Sequence, residues 1–104
     1  MQYVRPVGFV AKPVAPRQRL VIDATAGGVA LTVPASAIVA TCRLEDAQVR
    51  FTLDGTAPTA GAGQLLDVGD RLTLEGRSVL TGFLAIRTGA SNGVLDAEFF
   101  TADY

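Results

Sequence analysis

The sequence predicts an all-β fold, an antiparallel β-sandwich of the jelly-roll type that follows an extended N-terminal arm. Apolar and polar residues alternate with period two through most of the chain. Turn signals rich in Gly, Asp and Pro recur about every 8 to 12 residues, and no window shows a convincing helical period. With 104 residues the chain has the length of one domain with one core.

Residues 1–17 are predicted to form the arm, and residues 18–104 the sandwich. Prolines favour extended or polyproline backbone over regular pairing. The prolines of this segment are Pro6, Pro13 and Pro16. Apolar residues between them, such as Val10, still need a surface to cover, so we expect an arm that contacts neighbours. An edge strand packed on its own domain is the alternative.

Four strands are predicted in the first half of the sandwich, at residues 18–24, 29–33, 37–44 and 47–53. In the third of these, Ile38, Ala40, Cys42 and Leu44 share one face, and Val39, Thr41 and Arg43 share the other. In the fourth, Ala47, Val49, Phe51 and Leu53 face inward, and Gln48, Arg50 and Thr52 face outward. The second strand ends at Pro34, because proline cannot donate to a ladder.

The second half begins at the turn Asp54-Gly55, where glycine supplies a positive φ and aspartate bonds its own downstream backbone. A small, polar, glycine-rich loop follows at 56–63, and a second turn at 68–70. Strands are predicted at 71–75, 82–88 and 94–101, with at most a short helical turn near 78–82.

Composition excludes several function classes. The net charge is −1, and eight arginines and one lysine are spread among ten acids without a basic patch, so nucleic-acid binding is not expected. No apolar run approaches the roughly 20 residues of a membrane span, and the N-terminus lacks a signal-peptide core. The single cysteine, Cys42, lies in an apolar run and is interpreted as a buried small hydrophobe.

Catalytic chemistry has few candidates in this chain. The absence of histidine removes Ser-His-Asp triads, Cys-His pairs and most zinc sites. Asp54, Asp67 and Asp70 all flank turns, and together they would offer a calcium site or an acid–base pair. Turn formation is the preferred interpretation of each aspartate. The sequence therefore predicts a non-enzymatic protein with no cofactor and no metal.

A resemblance appears in the stretch from Val49 to Leu74, which contains Val-Arg-Phe-Thr-Leu-Asp-Gly-Thr-Ala-Pro-Thr and then Leu-Leu-Asp-Val-Gly-Asp-Arg-Leu-Thr-Leu. It continues through Ile-Arg-Thr-Gly-Ala at 86–90 into the strand that ends in Phe99 and Phe100. The pattern resembles small proteins encoded among the structural genes of tailed bacteriophages. The resemblance covers roughly residues 45 to 101.

The resemblance implies a virion structural protein that is assembled in the host cytoplasm. A head decoration (cement) protein that stabilises the capsid is the first expectation, and a neck or tail subunit is the alternative. The implied partners are the major capsid protein or other virion proteins, together with further copies of the chain, with a trimer favoured.

Two regions are predicted to make these contacts. One is the arm, and the other is the exposed side of strand 47–53 with the loop that follows it. The predicted contact residues are Tyr3, Val4, Arg5, Val7, Phe9, Arg50 and Thr56. A carbohydrate-binding or host-recognition module is the competing interpretation, because Asp-Gly-Thr-x-Pro-Thr also resembles a turn of sugar-associated β-sandwich modules.

Overall fold

The computed structural model describes residues 11–102, and the side chains from residue 12 onward. Nine strands and one short helix follow one another along this part of the chain. They are β1 (Ala11–Pro13), β2 (Gln18–Ile22), β3 (Val29–Ala30), β4 (Val39–Glu45), β5 (Val49–Thr52), β6 (Gln64–Leu66), β7 (Arg71–Glu75), α1 (Arg77–Gly82), β8 (Leu84–Arg87) and β9 (Gly93–Ala102). The predicted contact residues Tyr3, Val4, Arg5, Val7 and Phe9 lie outside the described residues.

The strands form two antiparallel sheets that pack face to face, which confirms the predicted β-sandwich. The five-stranded sheet has the order β1-β9-β4-β7, and β2 also pairs with β9. The four-stranded sheet has the order β3-β8-β5-β6. Strand β2 pairs with β9, β3 with β8, β4 with β7 and β5 with β6, as in one long hairpin. Rolling this hairpin brings β4 beside β9 and β5 beside β8, which is the jelly-roll arrangement.

The core lies between the two sheets and is built by the inward faces that the alternation predicts. Its largest fully buried side chains are Ile22, Leu44, Val49, Leu74, Leu80, Phe83, Leu95 and Phe99, whereas Val39 is buried on the other face of β4, on the side of Thr41. Phe51 stacks on Phe83 with ring centroids 5.8 Å apart. Because the neighbours of Phe51 along β5 point the other way, the four-stranded sheet has a distinct outer face.

The N-terminal edge of the five-stranded sheet is formed by β1 and β2, which lie one after the other along β9. The Val14 amide still donates to the Phe99 carbonyl, at 2.9 Å, before the chain breaks register at Ala15, whose φ is 65°. The last residues of the predicted arm, from 11 to 14, therefore follow the sheet edge.

The sequence prediction contains no strand at β6, and it places the bounds of several other elements differently. Strand β3 covers only the start of the predicted 29–33 segment, because Leu31 turns into the core and the Thr32 amide donates to the Gln18 side chain. The expected helical turn near 78–82 is α1, which buries Leu80 at one end of the sandwich.

The opposite edge of the five-stranded sheet is β7. The Leu44 amide donates a hydrogen bond to the Asp70 carbonyl, and the Gly76 amide donates one to the Ile38 carbonyl. The backbone N–H and C=O groups of the even-numbered residues of β7 therefore point toward β4. The backbone groups of Arg71, Thr73 and Glu75 therefore point to an edge with which no described strand pairs.

Candidate interaction surfaces

The outer face of the four-stranded sheet is covered by the chain itself. Arg50 points outward between the buried residues Val49 and Phe51. Its guanidinium donates to two carbonyl oxygens of the following segment, from Nε to Ala60 at 3.1 Å and from Nη1 to Gly63 at 2.9 Å. Arg50 thus holds residues 53–63, here called the covering loop, against its own strand.

The covering loop is packed as well as hydrogen-bonded. Pro58 is buried, and a β-carbon added at Gly28 would lie 3.1 Å from both its Cδ atom and the Cβ atom of Leu84. At the tip of the loop, Thr59 and Ala62 exchange two backbone hydrogen bonds across a tight turn. The loop is therefore an ordered projection over the outer face.

Asp54 and Thr56 form the turn that begins this loop. The Thr56 amide donates to Asp54 Oδ1 at 3.0 Å, and the Thr52 hydroxyl donates to the Thr56 carbonyl. The backbone and side-chain hydrogen bonds from Thr56 hold the pKa of Asp54 below its usual range. The predicted contact residue Thr56 is exposed on the loop. Its backbone groups and the Asp54 carboxylate form the hydrogen bonds of the turn.

The other two candidate aspartates lie at the far end of β5. The Asp67 amide donates to Asp70 Oδ2 at 2.9 Å, and Gln48 donates to Asp67 Oδ1. Strand β5 separates this turn from Asp54, so the structure does not bring the three aspartates together. The described residues contain no group of three or more acidic, cysteine or histidine side chains placed to hold a metal ion.

The outer face of the five-stranded sheet has a different character. It carries an open depression of about 250 Å³, here called the arginine depression. Its lining residues are Arg17, Thr41, Cys42, Arg43, Glu45, Arg71, Asp96 and Glu98. Arg43 and Arg71 occupy directly opposite positions on β4 and β7. Since the flanking pairs carry the ladder hydrogen bonds, these two form a narrow, non-hydrogen-bonded pair, in which side chains lie closest.

A neighbouring arginine partly neutralises two acids of this depression. Arg19 Nη1 lies 3.2 Å from Glu45 Oε1 and 3.5 Å from Asp96 Oδ2, and the hydrogen bond to Glu45 raises the pKa of Arg19. Within residues 12–102, Arg17, Arg43 and Arg71 make no ion pair or side-chain hydrogen bond. Three exposed guanidiniums therefore face the depression without an intramolecular partner.

Thr41 forms the floor of the arginine depression. It lies on the outer side of β4, opposite Thr73 on β7 and Glu98 on β9, yet its exposed fraction is only 7%. No described residue hydrogen-bonds with its hydroxyl, which is unusual for a buried polar group.

Sequence reasoning assigns Thr41 and Arg43 to an outward face but does not identify the depression. Arg17, Arg43 and Arg71 come from three separate segments that meet only through the pairing of β9, β4 and β7. The alternation at 71–75 places Arg71 outward, yet the partner strand of that segment cannot be deduced from the alternation.

Cys42 faces the opposite way, into the core. Burial raises the pKa of its thiol to about 12, so the nucleophilic thiolate is scarce at neutral pH.

No protein-family model matches the chain, and a search of curated proteins also finds no match. No helix in the described part of the chain is long and apolar enough to span a membrane.

Proposed function

We propose that the protein is a non-enzymatic structural component of a tailed-bacteriophage virion, a head decoration protein that stabilises the capsid through subunit contacts. The observation that carries this proposal is the resemblance of residues 45–101 to small virion proteins. Jelly rolls also occur in viral capsid proteins, but that analogy concerns the fold alone.

The segments of the resemblance make up one continuous part of the framework. They contribute β5 to β9, the covering loop and the Asp54 turn. Arg50 and Pro58 fix the loop to the sheet, and Gly55 donates to the Gly82 carbonyl at 3.0 Å, which joins the turn to the end of α1. An ordered projection of this kind suits a protein that must present one constant surface to its neighbours.

The proposed partners are the major capsid protein and further copies of this chain, with a trimer favoured. The unpaired edge of β7 offers backbone groups to an added strand, the mode in which an extended arm binds a neighbouring sheet. Val21, Leu65 and Val68 are large apolar residues exposed on the described surface. Repetition of weak contacts around a symmetric assembly raises their combined strength.

The carbohydrate-binding alternative gains no support from the described residues. The Asp54 carboxylate is engaged by Thr56, and the rings of Phe51, Phe83 and Phe99 are buried, which leaves Phe100 as the one partly exposed ring among the described residues, whereas sugar recognition needs exposed rings.

Quantitative mass spectrometry of purified particles tests the proposal. A head decoration protein is expected at a copy number that rises with that of the major capsid protein between particles of different head size. A small copy number that is independent of head size would instead indicate the neck or tail subunit. Absence of the chain from washed particles would contradict a virion role.

Rebinding to particles tests the arm separately. Removal of residues 1–10 leaves β1 intact, so the truncated protein is expected to unfold at the same urea concentration as the full chain but to bind particles more weakly. Equal binding by the two proteins would contradict a role of the arm in assembly.

A further inference from the structure

We propose that the arginine depression binds a side-chain carboxylate from an acidic segment of a partner protein. The inference is independent of the proposed function, since it concerns one surface and one chemistry. It goes beyond the contact regions that the sequence predicts, because only Arg17 of the lining belongs to the predicted arm and no lining residue belongs to the opposite sheet.

The charges of the depression leave positive charge in excess. Arg19 contacts Glu45 and Asp96, which leaves Glu98 as the acid of the lining without an arginine contact among the described residues. With Arg19 counted, four arginines stand against the three carboxylates of Glu45, Asp96 and Glu98, which leaves one positive charge in excess. A single added anion therefore meets a favourable field, whereas the chain as a whole is slightly acidic.

The pairing of Arg43 with Arg71 favours a planar anion between them. Like charges directly opposite each other on neighbouring strands destabilise a sheet. A carboxylate offers two oxygens, and guanidinium groups bind such oxygens through parallel hydrogen bonds. An acidic side chain placed here would remove the repulsion and give both arginines a partner.

The Thr41 hydroxyl supplies the third feature. It is more than nine-tenths buried, it lines the floor of the depression, and it has no hydrogen-bond partner among residues 12–102. A buried donor without an acceptor is costly, and a carboxylate oxygen seated between the two arginines would accept its hydrogen. Thr41 and Arg43 lie two residues apart on one face of β4, so both can address the same group.

The rim of the depression favours a polypeptide over a nucleic acid. Glu45, Asp96 and Glu98 line the depression together with the three arginines, and a continuous phosphate backbone would meet these acids as well. A polypeptide can place one carboxylate among the arginines and neutral or basic residues beside the acids.

The test uses the full-length chain and two blocked peptides, Gly-Ser-Glu-Ser-Glu-Ser-Gly and the same peptide with Gln in place of Glu. In NMR titrations at low ionic strength, the Glu peptide is expected to shift the amide resonances of Thr41, Arg43 and Arg71. Its affinity should exceed that of the Gln peptide at least about tenfold, because charge-assisted hydrogen bonds are roughly twice as strong as neutral ones.

Two variants and one control locate the binding. Arg43→Gln/Arg71→Gln should lower the affinity for the Glu peptide at least about tenfold, since both charged donors are lost. Thr41→Val should lower it about threefold or more while leaving the protein at least as resistant to urea, because the hydroxyl has no partner to lose within the fold. The control Lys12→Gln/Arg87→Gln removes the same charge from residues outside the depression and should bind like the unmodified protein.

Three outcomes would overturn the inference. The first is that the control variant loses as much affinity as the arginine double variant, which would indicate general charge attraction. The second is that the peptide shifts resonances elsewhere and leaves Thr41 and Arg43 unchanged. The third is that inorganic phosphate or a short oligothymidylate binds the depression more tightly than the Glu peptide, which would assign the site to phosphate chemistry.

Discussion

The outer faces of the two sheets use their arginines in opposite ways. On the four-stranded sheet, Arg50 donates to carbonyl oxygens of Ala60 and Gly63, and the covering loop lies over the strand that carries it. On the five-stranded sheet, Arg43 and Arg71 face each other across β4 and β7 without a partner in the described residues. One face has been closed by the chain, and the other has been left open with charge exposed.

This difference shows what an outward-facing arginine can mean in a β-sandwich. Both Arg43 and Arg50 follow a buried residue and stand on the solvent side of a strand. Arg50 stabilises the fold because a loop returns to it, whereas Arg43 contributes no contact of that kind. We therefore expect substitutions on the two faces to differ in kind, with loss of stability on one and loss of binding on the other.

A substitution on the inner side of β5 should cause the largest loss of stability. This loss is the reference against which substitutions on the outer side of the strand are compared. Phe51→Ala removes a ring that is 4% exposed and stacked on Phe83, so unfolding should become easier by about 3–5 kcal/mol in urea titrations. Thr73→Ala, at an exposed position on β7, should stay within about 0.5 kcal/mol. A Phe51 loss below about 1 kcal/mol would show that this face of β5 does not carry the core.

The junction between the covering loop and α1 should give the next largest effect. A β-carbon at Gly82 would overlap the carbonyl oxygen of Leu53, so Gly82→Ala forces the backbone apart and should cost about 1–3 kcal/mol. Gly61→Ala is the matched control, because nothing lies within 4 Å of a β-carbon there. Equal unfolding midpoints for the two variants would contradict the tight junction.

The turn that begins the covering loop should respond to pH. The pKa of Asp54 is lowered in the fold by Thr56, so its contribution is complete above the unfolded pKa, near 4, and is lost as the pH falls through the lowered folded value. The stability difference between the unmodified protein and Asp54→Ala should therefore shrink between neutral pH and about pH 2.

A Glu75→Ala variant provides the reference for this measurement, because no described residue donates a hydrogen bond to that exposed carboxylate. The stability difference between the unmodified protein and Asp54→Ala could instead stay constant with pH while the protein remains folded. That result would show that the ionised Asp54 carboxylate does not stabilise the turn.

The stability of the protein should change little when the buried hydroxyl of the open face is removed. Thr41→Val keeps the shape of a buried side chain and removes a hydroxyl that has no partner in the described residues. Its unfolding free energy should rise or stay within about 1 kcal/mol of the unmodified protein, as measured in urea. A loss above about 2 kcal/mol would mean that the hydroxyl is satisfied within the fold.

Alternation predicts the inner and outer faces of both sheets, because each strand contributes one side chain to the core and the next to solvent. Phe51 and Cys42 lie inward and Arg50 and Thr41 outward, as the pattern indicates. The Asp54 turn is predictable for a local reason, since its hydrogen bond to Thr56 spans two residues.

The structural difference between the two faces depends on contacts between distant segments. The return of Ala60 and Gly63 to Arg50 depends on how the covering loop folds back. The approach of Arg71 to Arg43 depends on the rolled hairpin, which pairs β4 with β7. Neither the loop path nor the strand partner leaves a periodic signal in the sequence, so the arginine depression emerges only from the structure.

The contrast between the closed and the open outer face is tested most directly by comparing Arg50→Gln with Arg43→Gln. Urea unfolding and binding of the Glu peptide are measured on both variants. Arg50→Gln is expected to lose about 1–3 kcal/mol of stability, because two charged hydrogen bonds to the loop are broken, and to keep its affinity for the peptide. Arg43→Gln is expected to stay within about 0.5 kcal/mol in stability and to lose affinity. Equal destabilisation by the two substitutions, or unchanged peptide binding by Arg43→Gln, would contradict the account of one closed and one open face.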